Sequence, residues 1–485
     1  MNYKFLRELL LYRYRYVAGL AVFAVVLIGL VLVRPDLAPS GLSQLDLDSA
    51  VRSTHYNITR PVAQSTLELP FILLQKLSIH FLGVTEFAVR LPAAILGIVT
   101  GAAFMMMVRR WFRLNIALIT SVIFVTSSAF LTLARTGHAT IMTTFWLSLF
   151  LLAVTNIIHP DGKTRLWLAV LFVIVPFSLY TPLMIYPFVA VAFAGMLHPH
   201  VRFTLKHIRH WQYALGVAFF ILSLTPLILT LSAHPDQMRE LVGIPTHVVT
   251  SQEILANAKT VIKSFFNLGN AIVGEVPQPL FGAASFIIIV LGFLQTVRDR
   301  FSARSYMLLI WSAMFIPLAL FNPDKLLICL VPAYLYMAIG IETLIGEWYR
   351  LFPRNPYARL IGFFPLLVLI SGIMLSNSAQ YFYGHFYGSP TTRYSRQLMT
   401  TRNIMDSHHY KDKPTRLVVV PAEREFYELL RRDYPNMSVV TSAPSPIDRP
   451  TIVHDGVTTA IGTPKLIVTS YATKSDQAIA RLYTP

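Results

Sequence analysis

Residues 69–97 read LPFILLQKLSIHFLGVTEFAVRLPAAILG, and the fold turns on how this stretch is read. Its first half is apolar but interrupted by Gln75, Lys76 and His80, a pattern that suits a helix lying in or near a membrane interface rather than crossing it. Beyond Gly83 the chain is almost wholly apolar from residue 88 to 108, and about 20 such residues span the ~30 Å hydrocarbon core as an α-helix. An interfacial helix therefore leads straight into a crossing one.

The same reading extends along the chain. Apolar runs near 16–33, 88–108, 115–133, 139–158, 166–180, 182–197, 212–232, 279–297, 305–321, 325–345 and 359–376 predict an α-helical polytopic membrane protein with about eleven transmembrane helices. Composition agrees: 54% of the 485 residues are hydrophobic and 13% charged, where a soluble chain carries about 25% charged residues. The first run lacks a small-x-small site before Pro35 and reads as a retained helix rather than a cleaved signal. The single cysteine, Cys329, excludes an intramolecular disulfide and a Cys-based metal site.

A net charge of +17 would suggest nucleic acid as a partner of a soluble protein. Here the basic residues fall in short clusters between apolar runs, so no nucleic-acid partner is expected. Lys4/Arg7/Arg13/Arg15, Arg109/Arg110/Arg113, Lys163/Arg165, Arg202/Lys206/Arg209, Arg298/Arg300/Arg304 and Arg350/Arg354/Arg359 occupy every alternate loop. The positive-inside rule then predicts a multi-pass protein of the plasma membrane with a cytoplasmic N-terminus. Trp111, Trp167, Trp211 and Trp348 border these loops, where indole rings favour the headgroup layer. Three larger segments share the opposite, outward face: the first loop 34–87, the loop 233–278, which is amphipathic and suits a lid, and the chain beyond Ser376.

Residues 1–380 thus read as the membrane unit and 390–485 as a small C-terminal α/β extracytoplasmic domain. In the latter, RLVVV, PAEREFYELLRRDYP and MSVVTS predict strand, helix and strand, and KLIVTS followed by SDQAIARLY predicts strand and helix. No Gly-rich phosphate loop and no metal-ligand spacing is present.

Carboxylates are scarce, which singles out Asp46 and Asp48 in LSQLDLDSAVRSTHY just past the first span. On a helix they lie about 200° apart, so one of them faces a shared site. A partly desolvated carboxylate at the mouth of a membrane cavity can take a proton from an acceptor hydroxyl. Arg60, Arg90, Arg135, His138 and Lys325 fall on the same face, and such cations can stabilise a departing phosphate. Tyr180 and Tyr186, beside the Thr181-Pro182 break, are candidates for stacking on a sugar.

Three motifs in order, LDLDSAVRS, the stretch quoted above and LARTGHATIMTTFWLSLFL, resemble the polyprenyl-phosphate-sugar-dependent membrane glycosyltransferases. This GT-C superfamily group includes the protein O-mannosyltransferases and the lipid A aminoarabinose transferase, and the resemblance is clearest over 41–160. It implies a glycosyltransferase that moves a sugar from a polyprenyl-phosphate donor in the lipid to an extracytoplasmic protein, glycolipid or cell-wall glycan, with inversion. It also implies that Asp48 is the base, with Asp46 the alternative, and that Arg90, Arg135 and Lys325 contact phosphate. The Asp-Glu pair common in the family reads Asp48-Ser49 here, and the Lys-Pro-Pro motif reads Glu68-Leu69-Pro70. No metal cluster is expected, although a lone carboxylate and a bound phosphate leave room for a divalent metal. The alternatives are a transporter or flippase of lipid-linked sugars, which would want ionisable residues at mid-membrane, and a non-catalytic scaffold.

Overall fold

The computed structural model describes residues 15–33, 38–57, 64–158, 164–197, 210–245, 249–266, 272–273, 276–277, 279–351, 356–387, 393–407, 410, 413–443, 447–457, 463–469 and 478–484. The first half comprises α1 (Arg15–Leu32), β1 (Leu42–Ser43), α2 (Gln44–His55), α3 (Leu69–Leu82), α4 (Glu86–Trp111), α5 (Leu114–Thr126), α6 (Ser128–Arg135), α7 (Ile141–Ile158), α8 (Thr164–Ser178) and α9 (Ile185–Leu197). Next come α10 (His210–Ala233), α11 (Pro235–Val242), α12 (Ser251–Phe266) and a hairpin of β2 (Ile272–Val273) with β3 (Val276–Pro277). The remaining long helices are α13 (Ala283–Arg298), α14 (Ala303–Phe321), α15 (Leu330–Leu351) and α16 (Pro356–Tyr387), with a 3-10 turn at Pro323–Cys329 between α14 and α15.

Among the described residues six helices are long and apolar enough to cross a bilayer, and the bent pair α5 and α6 makes a seventh. The other expected spans coincide with shorter apolar helices, α1, α8, α9 and α13. The predicted span at 115–133 is broken by 60°. Ser127 is extended and its side chain accepts from the Phe130 amide, capping α6, as serine does when it offers the backbone an alternative to the helix. The bend tucks α6 against α4 where Gly97 leaves room for Ala134, and it delivers Arg135 through His138 beneath the first loop.

α4, α7 and α15 form the interior of the bundle; 78% of the α7 span is buried against 17% of the α10 span, so α10 presents its apolar side chains to lipid. Thr85 caps α4, and Glu86 in its first turn and Arg109 and Arg110 in its last suit the helix dipole. α13 and α15 meet backbone to backbone through Gly292 and Gly340, the small-residue packing that membrane helices use where lipid removes the hydrophobic drive.

The C-terminal chain adds β4 (Tyr394–Ser395), α17 (Gln397–Met405), β5 (Thr415–Val418), α18 (Arg424–Leu429), β6 (Met437–Val440), β7 (Thr451–His454), β8 (Leu466–Thr469) and β9 (Ala478–Tyr483). Five strands form one sheet in the order β6-β5-β7-β9-β8. β5 runs parallel to β6 and β7, and β9 antiparallel to β7 and β8. The helix expected at SDQAIARLY is instead strand β9 over its described residues 478–483. Ala478, Ala480 and Leu482 are buried while Ile479 and Arg481 are half-buried, a period of two, and the strand sits between two partners. β7 has four buried residues in a row because it lies inside the sheet.

This sheet shares a core with the first loop: Leu417, Phe426, Ile452 and Leu482 pack in one cluster with Leu47 and Ala50 of α2, Ile79 of α3 and Val89 of α4. β1 pairs antiparallel with β4, and Arg402 donates to the Val84 carbonyl at 2.8 Å and pairs with Asp433 at 3.1 Å.

A Cβ on Gly340 would collide with the Ile288 carbonyl, whereas one on Gly346 meets nothing. Gly340→Val should lower the melting temperature of the purified protein, the overpacking costing about 1–3 kcal/mol, and Gly346→Ala should leave it unchanged; thermal unfolding of both variants in one detergent makes the comparison.

Candidate active site

The site begins where the chain leaves α1. Arg135 donates from Nε to the Ala38 carbonyl at 2.8 Å and from a terminal nitrogen to the Leu30 carbonyl at 2.6 Å. Arg90 donates to the carbonyls of Pro39, at 2.9 Å, and Gly41. Tyr381 of α16 adds its hydroxyl to the Ala38 carbonyl at 2.7 Å, and its ring lies against the Arg135 guanidinium. Both arginines are buried. Arg90 and Arg135, expected to contact phosphate, here hold main-chain carbonyls, and these oxygens satisfy the buried cations, as burial of a charge requires.

That clamp sets the start of α2. Ser43 and Asp46 form a capping box, each side chain accepting from the other's amide, at 3.2 and 3.1 Å. The other Asp46 oxygen accepts from the Gly137 amide at 2.7 Å and contacts His138 Nδ1 at 3.0 Å. Asp46 has no exposed surface. Burial acts to raise its pKa, but the His138 hydrogen bond and charge, the Arg90 charge and the Ser43 amide outweigh it and hold the carboxyl below the ordinary aspartate range. Gln75 completes the joint from α3, donating to the carbonyls of Val89 at 3.1 Å and Gly137 at 2.5 Å and accepting from Ser49 at 2.8 Å.

Asp48 lies on the other side of α2, exposed, accepting from Gln44 at 2.9 Å. The pair is split as helical geometry demands, and the inward member is Asp46. Tyr180 and Tyr186 give their hydroxyls to the carbonyls of Ser223 and Val242, at 2.7 and 2.8 Å, and neither lines the cavity described next. Arg60 lies outside the described residues.

A cavity of about 660 Å³ opens over this joint. Ser43, Gln44, Glu68, His138, Thr140, Leu183, Lys325 and Arg393 are among its lining residues. It therefore brings together two of the expected residues, His138 held by Asp46, and Lys325 from the 3-10 turn before α15. A second cavity of about 870 Å³, lined by α11, the start of α12 and Asn322, shares Lys325 as a wall. The helices of the 233–278 segment border it, docked by the Leu241 carbonyl accepting from the Leu183 amide at 2.8 Å and the Asn257 side chain donating to the Leu320 carbonyl at 2.9 Å.

Two cavity residues escape sequence reasoning. Arg393 comes from the C-terminal chain, more than 250 residues from His138 in sequence, and carries no local signal. Glu68 stands at the N-cap of α3 with φ of 61°. Glu68 and Leu183, at φ of 69°, are the non-glycine residues with positive φ among the described ones, and both line this cavity. Such backbone costs about 1–3 kcal/mol at each position and concentrates at functional sites. The turn is fixed from two sides: the Glu68 amide donates to the Tyr180 carbonyl at 2.8 Å, and Arg52 donates to the Leu67 carbonyl at 2.7 Å. The one charged residue before the Leu69-Pro70 helix start was the available hint. Among the described residues no group of three or more His, Cys, Asp or Glu side chains is placed to hold a metal.

Residues 70–229 match the family described as dolichyl-phosphate-mannose-protein mannosyltransferase. The oligosaccharyltransferase of Archaeoglobus fulgidus, solved with a tethered acceptor peptide, has a similar fold, with a TM-score of 0.54 and 11% identity over 88% of this chain and 64% of that one. The apo structure of ArnT from Cupriavidus metallidurans gives a TM-score of 0.50 and 13% identity over 96% of this chain and 97% of that one. This chain thus spans less than two thirds of the archaeal enzyme's length and nearly all of ArnT's. No curated protein sequence matches it. The family match and the two folds bear out the resemblance to polyprenyl-phosphate-dependent membrane glycosyltransferases that the three motifs carry.

A Cβ on Gly137 would lie 2.5 Å from Val89 and 3.3 Å from the Asp46 carboxylate. Gly137→Ala should displace the loop bearing His138 and remove most activity, while Asp48→Asn should retain it; side-by-side assays of the two variants at matched expression check this.

Proposed function

We propose that this chain, which shares the fold of the lipid-phosphate-dependent membrane glycosyltransferases, transfers a sugar from a polyprenyl-phosphate carrier to an acceptor on the outward face. The observation that carries the reading is the cavity wall that places His138, oriented by buried Asp46, beside Lys325 and Arg393. Among the described residues the Lys325 and Arg393 side chains have no hydrogen-bonding or ionic partner, unlike Arg90 and Arg135. Uncommitted cations at a membrane cavity suit a phosphate that gains charge as the sugar leaves. The archaeal enzyme of similar fold was solved in complex with a dolichol-phosphate and an inhibitory peptide, the first of the same chemical kind as the lipid phosphate released in the transfer proposed here.

In this reading the transfer is a single displacement with inversion. The acceptor oxygen attacks the anomeric carbon, the bond from that carbon to the phosphate oxygen breaks, and the electron pair leaves on polyprenyl phosphate, stabilised by Lys325 and Arg393. Asp46 acts through His138: a carboxylate already accepting from the Ser43 and Gly137 amides is a poor base and a good anchor. The outward acceptor is a protein, glycolipid or cell-wall glycan, the N-terminus is cytoplasmic, and residues 390–485 form the outward domain that contributes Arg393.

Purified protein in nanodiscs, given polyprenyl-phosphate sugars, should release polyprenyl phosphate. Lys325→Met should slow release about 100-fold, and Asp46→Asn should slow it with little change in donor binding. Donor that binds the wild type without turnover across acceptors of all three classes would overturn the enzyme reading.

A further inference from the structure

We propose that Glu68 is the catalytic base, the group that takes the proton of the acceptor hydroxyl. The inference rests on the glycosyl-transfer reading above and assigns its proton acceptor. Three independent features of the cavity converge on this residue.

First, of the residues that line the cavity with His138, Lys325 and Arg393, Glu68 is the carboxylate. The two aspartates that the sequence offers for this task are elsewhere: Asp48 is exposed and bonded to Gln44, and Asp46 is sealed behind His138 with three partners. Second, no side chain or amide among the described residues hydrogen-bonds the Glu68 carboxylate, so its oxygens remain available to a hydroxyl. Third, the residue is held at positive φ by the Tyr180 carbonyl on one side and by Arg52, through the Leu67 carbonyl, on the other. A glutamate maintained in a backbone conformation that favours glycine, in a cavity wall, points to a side chain needed in that place.

The electrostatics agree. Half-burial raises the Glu68 carboxyl above the ordinary glutamate value of 4.5; the charges of Arg52, His138 and Lys325 oppose this, Glu240 from α11 adds to it, and the net shift is upward. A raised carboxylate is the better proton acceptor near neutral pH. The steps balance: the acceptor O–H bond gives its proton to Glu68, the freed pair forms the new glycosidic bond, the donor C–O bond cleaves onto phosphate, and the proton passes later to solvent.

The test uses the full-length protein in nanodiscs, with polyprenyl phosphate as the binding probe and sugar transfer as the rate. Glu68→Gln should bind polyprenyl phosphate as the wild type does and lose about 10²–10⁴-fold in kcat, and Glu68→Asp should recover part of it. The wild-type rate should climb with pH along an acid limb centred above 4.5, because only ionised Glu68 is active, and that limb should persist in Asp46→Asn and vanish in Glu68→Gln. A limb centred below 3.8 would assign the base to Asp46 and overturn the proposal, as would a Glu68→Gln protein that keeps its kcat. If Glu68→Gln fails to fold, Glu68→Asn, which tolerates positive φ better, replaces it, and full activity in that variant also overturns the proposal. Absence of donor turnover in the wild type would instead contradict the transfer reading itself.

Discussion

Two buried guanidinium groups holding main-chain carbonyls are the constraint on which the rest of the site depends. Arg90 and Arg135 lie on different helices, α4 and α6; Arg90 holds Pro39 and Gly41 and Arg135 holds Ala38, all just before α2, while Arg135 also holds Leu30 in the last turn of α1. Such cations are tolerable inside a protein only when their N–H groups find oxygens, so residues 38–41 must pass where they do. The capping box of α2 follows within a few residues, and Asp46 is fixed before it meets His138. The break at Ser127 matters for the same reason: a straight helix over 114–135 would not bring Arg135, Gly137 and His138 to this point.

The ionisable groups near the cavity then divide by what they already hold. Asp46, Arg90 and Arg135 are bound to the frame. Glu68, Lys325 and Arg393 face the cavity with side chains uncommitted among the described residues, and they come from the first loop, the turn before α15 and the C-terminal chain. A site assembled from such distant segments needs them locked together. The cluster joining Leu47, Ile79 and Val89 with Leu417 and Leu482, and the pairing of β1 with β4, supply that lock.

The membrane class and the presence of a helix at each apolar run, α3 included, were legible in the sequence because hydropathy acts over a whole helix; which of these helices have the length to cross was not, since among the described residues six do and the bent pair α5 and α6 makes a seventh. The inward member of the aspartate pair was open, and it took the capping geometry of Ser43 to settle which of the two is buried. Arg90 and Arg135 were read as phosphate contacts because their type and position suit one; that they also hold the carbonyls of Leu30, Ala38, Pro39 and Gly41 is a tertiary fact with no local mark. β9 was read as a helix because AIARLY is short and its alanines fit either period, until two neighbouring strands decide. Glu68 was visible only as a departure from a family motif, and its role becomes apparent with its backbone angle and its place in the cavity wall.

The most direct test of the central claim, that the cavity over His138 is where the lipid phosphate sits, is a structure determined with polyprenyl phosphate bound. The account predicts the phosphate between Lys325 and Arg393 with Glu68 across the cavity, and Arg90 and Arg135 still on their carbonyls. A phosphate held by Arg90 or Arg135, or lodged among Asp236, Arg239 and Glu253 of the neighbouring cavity, would contradict it.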